Sequence, residues 1–415
     1  MTDRVLSDAY PEGGLWRLDA YLKSGGYEGA RKALTGMKPE EVVDEVKKAN
    51  LRGRGGAGFP AGVKWSFVPR TADKPVYIAL NADEGEPGTA KDRAILAHNP
   101  HAVLEGLLIT AFAVGAHDAY IYVRGEYEAL ARRLEEAIGE AAAKGFLGAR
   151  VFGRDFRLDV TVHRGAGSYI CGEETALLES LEGRRGEPRL KPPFPAAVGL
   201  FQAPTVINNV ETLACVPLII RNGADWFVKL GLPKDGGARV FTVSGAVVRP
   251  GLYEIAHGTT LRQLIFEHAG GLRPGRTLKA VIPGGMSAAL LRADEVDLPL
   301  DFDSLARSGS MIGSAGVIVI DDTANLLVVL NVIARFYAHE SCGQCTPCRL
   351  GTAWIRKVAG RLVEGRGGPG DLDEIARVAG GIKGRTQCPM GDGAALPIIA
   401  LVGKFRAELE AALHG

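Results

Sequence analysis

Leu51 to Pro60 reads LRGRGGAGFP, and Gly53, Gly55 and Gly58 within it have the G-x-G-x-x-G spacing of a dinucleotide loop. That spacing has force only where a strand leads in and a helix leads out, because the bound pyrophosphate then rests on the NH groups that open the helix. Upstream lies KPEEVVDEVKKANL, with Pro39 suited to a first helical turn, Glu40 and Glu41 near the positive end, and Lys47 and Lys48 near the negative one. Val42, Val43 and Val46 share one face, so a helix enters the loop and Gly53 reads as the residue just past its C-terminus. Downstream, FPAGVKW carries Pro60 and Gly62 and starts no convincing helix. An anion here would have to be held by the loop's own NH groups and by Arg52, Arg54 and Lys64. An ordinary surface turn is the plain alternative.

At 415 residues the chain has room for two or three domains. Its 46% hydrophobic and 23% charged content is that of a globular protein, and a net charge of +1 gives no overall field favouring nucleic acid or acidic membranes. The N-terminal MTDRVLSDAYPEGG lacks a signal pattern, and the longest apolar run, GLLITAFAVGA from Gly106 to Ala116, is too short to span a bilayer. A reducing, cytoplasm-like compartment is expected.

The first ~230 residues alternate strand and helix in the α/β manner. VYIAL (76–80) runs into the acidic loop NADEGEPG, followed by a helix from His101 to Val114 and a strand at AYIYV (119–123). An amphipathic helix spans Tyr127 to Lys144, FRLDVTVHRG (156–165) alternates as a third strand, and GAGSYICGEETALLESLEG turns into a helix. After the loop RLKPPFPAAVGLFQAPTV, Asn208 or Asn209 caps a helix through ETLACVPLII. From Gly236 to Ile320 the pattern is a hairpin (ARVFTVSGAVVRPGLYEI), a short helix closed by Gly270, and strands at KAVIPGG and GVIVI. This small α+β unit resembles the soluble-ligand-binding β-grasp, with a packed spacer as the alternative. Beyond Asp322 four helical stretches suggest a bundle, interrupted by the glycine-rich link RGGPG (366–370). The expected domains are therefore 1–235, 236–321 and 322–415.

Four of six cysteines crowd into that last part. ESCGQCTPCR places Cys342, Cys345 and Cys348 at C-x2-C-x2-C, and Cys388 follows in QCPMGD. Three clustered thiolates suit three corners of a cubane, with a distant fourth completing it. Zinc is the rival, although its structural sites usually come as two separated C-x2-C knuckles. Cys171 and Cys215 have no partner spacing and read as buried small hydrophobes. His339 reads as a solvated helix-end residue.

Taken together and in order, LRGRGGAGFPAGVKW, YIALNADEGEPG, HRGAGSYICGEETALLESLEG, RLKPPFPA, TVINNVETL and ESCGQCTPCR…QCPMGD resemble the NADH-binding flavoprotein subunit of respiratory complex I, the F subunit of bacterial NADH-quinone oxidoreductase. The resemblance runs from about Gly26 to the C-terminal helix. It implies a Rossmann-like α/β domain holding FMN and NADH, then a β-grasp domain, then a helical bundle carrying one 4Fe-4S cluster on Cys342, Cys345, Cys348 and Cys388. It further implies that Gly53, Arg54 and Gly55 wrap the flavin, Lys64 contacts it, and Asn81 and Asp83 bond its polar atoms. Glu84 and Glu86 would line the nicotinamide side, in the same cavity as Tyr169, Gly172, Glu173 and Glu174. Asn208, Asn209 and Thr212 would hold the FMN phosphate, and Phe59, Phe67 and Phe194 would sandwich the adenine.

Hydride transfer fits such a site, since it needs close stacking rather than an acid or base. The carboxylates would orient ribose hydroxyls and disfavour the extra phosphate of NADPH. Stabilising a helix N-terminus is the simpler role for Glu173 and Glu174. The implied partners are a thioredoxin-like 2Fe-2S subunit and a large multi-cluster subunit, on a peripheral arm at the inner face of the cell membrane. The diaphorase subunit of a soluble NAD-dependent hydrogenase or formate dehydrogenase is the near alternative. A zinc-stapled nucleotide-sensing scaffold is the alternative of another class.

Overall fold

A computed structural model describes residues 5–8, 10, 13–69, 74–368 and 370–413; Pro369 of the glycine-rich link and the first four residues of the N-terminal stretch lie outside that range. Four parallel strands, β1 (Tyr77–Ala82), β2 (Asp118–Val123), β3 (Asp159–Arg164) and β4 (Thr205–Asn209), lie in the order β3-β2-β1-β4. Successive β1 side chains point to opposite faces. Ile78 and Leu80 enter one hydrophobic core and Ala79 the other, all fully buried, as expected of a parallel sheet covered on both sides.

The helices of this part are α1 (Leu18–Lys23), α2 (Glu28–Gly36), α3 (Pro39–Lys48), α4 (Ala61–Trp65), α5 (Lys91–His98), α6 (Pro100–Val114), α7 (Glu128–Ala143), α8 (Glu174–Leu181), α9 (Val210–Asn222) and α10 (Ala224–Lys229). Three sequence expectations change. The left-handed residue after α3 is Asn50 (φ 49°), so Gly53 is not the helix-closing position. FPAGVKW does start a helix, the five-residue α4, because Pro60 sits just before its first turn rather than within it. TVINN, read as loop and cap, is strand β4, with Asn209 capping α9 through a side-chain bond from the Glu211 NH.

A second sheet, in the order β6-β5-β9-β7-β8, comprises β5 (Ala238–Gly245), β6 (Gly251–Ala256), β7 (Leu278–Ile282), β8 (Leu291–Arg292) and β9 (Gly316–Asp321). The hairpin β5/β6 is antiparallel and β5 pairs parallel with β9. The short helix α11 (Leu261–Gln263) continues as a π turn through His268, and Gly270 closes it at φ +79°. Helix α12 (Phe302–Arg307) precedes β9.

The C-terminal bundle is α13 (Leu326–Glu340), α14 (Thr346–Val363), α15 (Asp371–Ile382), α16 (Met390–Lys404) and α17 (Arg406–Ala412). Its apolar core is continuous with the second face of the first sheet and with Ala280 and Ile282 of β7. Among the described residues no helix is long and apolar enough to cross a membrane.

Candidate nucleotide and cluster site

In the parallel sheet the connections after β1 run outward to β2 and β3, and the chain then returns across β1 to add β4. Strand order therefore reverses between β1 and β4, and the crevice at their carboxyl ends is where open α/β sheets take ligands. Asn81 of β1 is in register with Asn209 of β4, so the two motifs that end these strands meet there. The glycine loop arrives at the same place: a Cβ on Gly55 would stand 3.3 Å from the Asn209 Cβ. Its arms close on each other through an Arg52–Pro60 bridge and a bond from the Gly53 NH to the Phe59 carbonyl (3.0 Å). Among the described residues no hydrogen bond takes up the NH groups of Gly55, Gly56 and Ala57, which leaves them free for a ligand.

Arg54 does not point at that crevice. Its guanidinium is fully buried, donating to His257 Nε2 (2.8 Å) and to the Gly236 carbonyl (2.9 Å) and pairing with Asp235 (3.2 Å). The loop uses Arg54 through its backbone, whose NH donates to Thr212 Oγ1 (2.8 Å). That bond also places Thr212 beside the loop. Lys64, on α4, donates to the Ile207 carbonyl (3.0 Å) and faces Glu174 at 3.8 Å. Burial lowers its pKa, with Lys191 adding and Glu174 opposing.

The acidic loop divides its carboxylates by role. Glu84 accepts from the Asp92 and Arg93 NH groups at the start of α5 (2.8 and 3.0 Å) and from Tyr127 Oη (3.1 Å). It is thus held at a helix N-terminus, while burial raises its pKa to about 7. Glu86 accepts from Tyr169 Oη (2.6 Å) and the Ser287 NH (2.7 Å). Asp83 is different, because both its oxygens are buried without a hydrogen-bond partner. Burial pushes it up to about 7, with Arg124 opposing and Glu126 and Glu340 adding. Arg124 Nη1 is likewise buried and unpartnered. An unsatisfied buried carboxylate costs stability unless something pairs with it. Arg124, absent from the sequence-derived set, directly follows β2 at the carboxyl edge of the sheet, and that position was the signal that could have found it.

Asn81 Nδ2 donates to the Gly172 carbonyl (2.8 Å), and Gly172 packs against the Asp83 backbone. Glu173 caps α8 by accepting from the Thr175 and Ala176 NH groups, each at 2.9 Å, and also pairs with Lys191 (3.0 Å). The simpler role foreseen for this residue is therefore present. Glu174 pairs with Lys191 (2.9 Å); burial pushes its pKa upward, but Lys64 and Lys191 outweigh it and hold the pKa low. Asn208 accepts from Trp65 Nε1 (2.9 Å). Asn209 donates to Asp92 (2.6 Å) and accepts from Lys91 (3.2 Å), and Lys91 reaches Glu211 at 2.9 Å. These buried charges fix the start of α9, where a phosphate would meet the helix dipole. Phe59 and Phe67 are exposed neighbours with ring centroids 6.1 Å apart. Phe194 is exposed too, but no ring contact among the described residues joins it to that pair.

The four cysteines of the C-terminal part converge. The Cys348 thiol is influenced by Cys345 and Cys342, and that of Cys388 by Cys342 and Cys348. Burial raises both pKa values, Cys388 to about 12, so only a bound cation would keep such thiols ionised. Yet among the described residues no three His, Cys, Asp or Glu side chains are close enough to share one metal ion. Tetrahedral zinc needs sulfurs ~3.8 Å apart; a cluster spreads its four ligands over four irons. All four donors brought together here are free cysteine thiols, the ligand type an iron-sulfur cluster takes.

Three family models match in chain order: the Nuo51 FMN-binding domain over residues 46–218, an SLBB domain over 240–288, and the NADH-ubiquinone oxidoreductase-F iron-sulfur binding region over 328–412. A second F subunit of NADH-quinone oxidoreductase in Rhizobium meliloti (strain 1021) is 54% identical, over 97% of this chain and 95% of its own length. The F subunit of the Streptomyces coelicolor enzyme is 48% identical over 99% and 91%. The chain belongs to the family of NADH-quinone oxidoreductase F subunits. An NAD+-reducing [NiFe]-hydrogenase chain superposes with a TM-score of 0.85 at 38% identity, over 95% of this chain and 66% of that one. The architecture of these F subunits accounts for all three parts: an FMN-binding α/β domain, an SLBB β-grasp, and a helical domain with a 4Fe-4S cluster. The chain is accordingly an NADH dehydrogenase flavoprotein subunit, working with other subunits of its complex.

Proposed function

We propose that the chain oxidises NADH at the β1/β4 crevice and passes electrons singly to the cluster of Cys342, Cys345, Cys348 and Cys388. The observation that carries this is the segment Tyr169 to Glu173. Gly172 lies against Asp83 in the nucleotide crevice, the Tyr169 NH donates to Glu340 at the end of α13 (3.1 Å), and Glu173 acts on the Cys388 thiol. Nucleotide crevice and cluster thus share one wall only a few residues long. Bound FMN would supply the step from a two-electron hydride to single electrons.

The chain's own residues orient and enclose. The Gly55 to Ala57 NH groups, with Lys64 and Asn81, hold the flavin. The start of α9, at Asn208, Asn209 and Thr212, receives its phosphate. The Asp83 carboxylate and Arg124 Nη1, which no protein group meets, face polar groups of the bound nucleotides. Glu84 and Glu86 shape the nicotinamide side by holding the acidic loop rather than by direct contact, since their oxygens already accept from protein donors. Phe59 and Phe67 offer the adenine a stacking face, and the exposed Phe194 is the third aromatic assigned to that sandwich. Tyr169, Gly172, Glu173 and Glu174 form the wall toward the cluster.

Electrons leave to a thioredoxin-like 2Fe-2S subunit and a large multi-cluster subunit that hold the chain at the inner face of the cell membrane. The higher identity to the quinone-reductase relatives than to the hydrogenase chain, at nearly full coverage of the former, favours that assembly. Anaerobic NADH titration of the purified chain tests the route. Bleaching of one flavin followed by the EPR signal of one reduced cluster is expected in the native chain. Cys388→Ser is expected to lose the EPR signal and keep the bleaching; loss of neither, or bleaching without any cluster signal in the native chain, refutes the route.

A further inference from the structure

The geometry points to a second role for the β-grasp domain: it clamps the flavin-wrapping loop, and Arg239 and Phe302 are positioning residues for FMN. This rests on the reading of the β1/β4 crevice as the FMN site. Arg54 lies within GRGGAG, and its NH, its carbonyl and both terminal guanidinium nitrogens each have a partner in the fold. Its NH is held by Thr212 of α9 (2.8 Å), its carbonyl accepts from Arg239 Nη2 of β5 (3.3 Å), and its guanidinium is locked against Asp235 and His257. His257 accepts from Arg54 at Nε2, so its Nδ1 carries the proton and faces Asp235 Oδ2 (3.0 Å). Arg239 is completely buried, and its second anchor is the Gly313 carbonyl (2.5 Å), also within the β-grasp.

Phe302, at the start of α12, closes the loop from outside. Its ring lies between the Arg52 and Arg239 guanidinium groups, 4.1 and 5.3 Å from the ring centroid. Gly58, at φ +67°, packs so tightly on that ring that a Cβ would overlap it. The acidic loop is gripped by the same domain: Ala90 NH donates to Thr242 (2.9 Å), Thr89 meets Ser314 (2.6 Å), and Ser287 NH holds Glu86 (2.7 Å). Both ligand-facing loops of the α/β domain therefore take their shape from β-grasp side chains and backbone. A loop free to move must be ordered when ligand binds, and that cost weakens affinity.

The test uses the assembled complex carrying Phe302→Ala, Arg239→Gln or Arg239→Lys, and follows flavin fluorescence released on dilution together with the EPR signal of the cluster. Phe302→Ala is expected to release FMN at least tenfold faster than the native complex with the cluster signal unchanged. Arg239→Gln should do the same, and Arg239→Lys, which restores one donor to the Arg54 carbonyl, should recover part of the retention. Glu254→Gln, which loosens the same domain where Glu254 accepts from the Leu6 and Ser7 NH groups (3.0 and 2.8 Å), should leave FMN retention unchanged. Retention unchanged in Phe302→Ala, which is only half-buried and removes no buried charge, overturns the clamp even where Arg239 variants fail to assemble. Equal loss in Glu254→Gln overturns it as well, because general loosening then suffices. A native complex with no FMN at all would instead refute the site reading itself.

Discussion

Asp83→Asn should stabilise the flavin-free chain at alkaline pH, by an amount the site predicts. The carboxylate is buried without a partner and its pKa is pushed up to about 7 from an ordinary 3.8. A folded-state pKa raised in this way means that the folded chain binds the proton more tightly than the unfolded one. The stability cost is absent below pH ~4, grows as pH rises between the two values, and is complete above about 7. At ~1.4 kcal/mol per pH unit, the full cost is roughly 4 kcal/mol. Asparagine keeps the shape and removes the charge, so the variant should gain up to that amount at pH 8. For an α/β domain of this size the gain corresponds to about 8–15 °C in melting temperature; any residual hydration of the carboxylate makes it smaller. Thermal melts of the native and Asp83→Asn chains at pH 5 and pH 8 isolate the effect, since every other titrating group cancels in the difference. The gain should shrink by more than half at pH 5. A gain equal at both pH values, or a loss at pH 8, would show that Asp83 is not an unpaired buried charge.

Two further outcomes follow from the same geometry. Phe59→Ala and Phe67→Ala each remove a stacking face worth roughly 0.5–1.5 kcal/mol, so KM for NADH should rise about two- to tenfold while kcat changes little; steady-state ferricyanide reduction measures both, and a fall in kcat alone contradicts an adenine role. Glu211→Gln leaves Lys91 and Arg239 under-compensated in a fully buried network and should cost about 3–5 kcal/mol. Lys91, Arg239 and Arg54 outweigh burial and hold the Glu211 pKa low, so this stabilisation is present at neutral pH and lost in acid. Thermal melts of the variant should therefore converge with the native chain as pH falls below ~4, and unchanged melting at pH 7 would sink the claim.

Which features could be read from the chain depended on the range of the interactions that shape them. The apolar runs at 76–80 and 119–123, the helix at Pro39 and the C-x2-C-x2-C run are local signals, and each lies where its pattern puts it. TVINN was hidden as a strand because its last residues are polar and double as the cap of α9; a strand that ends in a ligand site looks like a loop. Gly53 was read as the helix-closing residue because glycine is the usual left-handed residue, yet Asn50 takes that conformation, as asparagine also can.

Arg54 shows the limit most clearly. Within GRGGAG a cation flanked by glycines reads as an anion ligand, and nothing nearby in the sequence says otherwise. Its actual partners, Asp235 and His257, are about 180 and 200 positions away and belong to the junction with the β-grasp sheet. Glu84 is a shorter-range version of the same problem, since its partners are the NH groups that open α5, eight and nine positions on. In both cases a charge expected at the ligand instead holds backbone beside the crevice. The proposed nucleotide loop thus lacks the Rossmann geometry its spacing suggests: it runs beside Asn209 at the start of α9, and the arginine that looks like a ligand fixes the loop from behind.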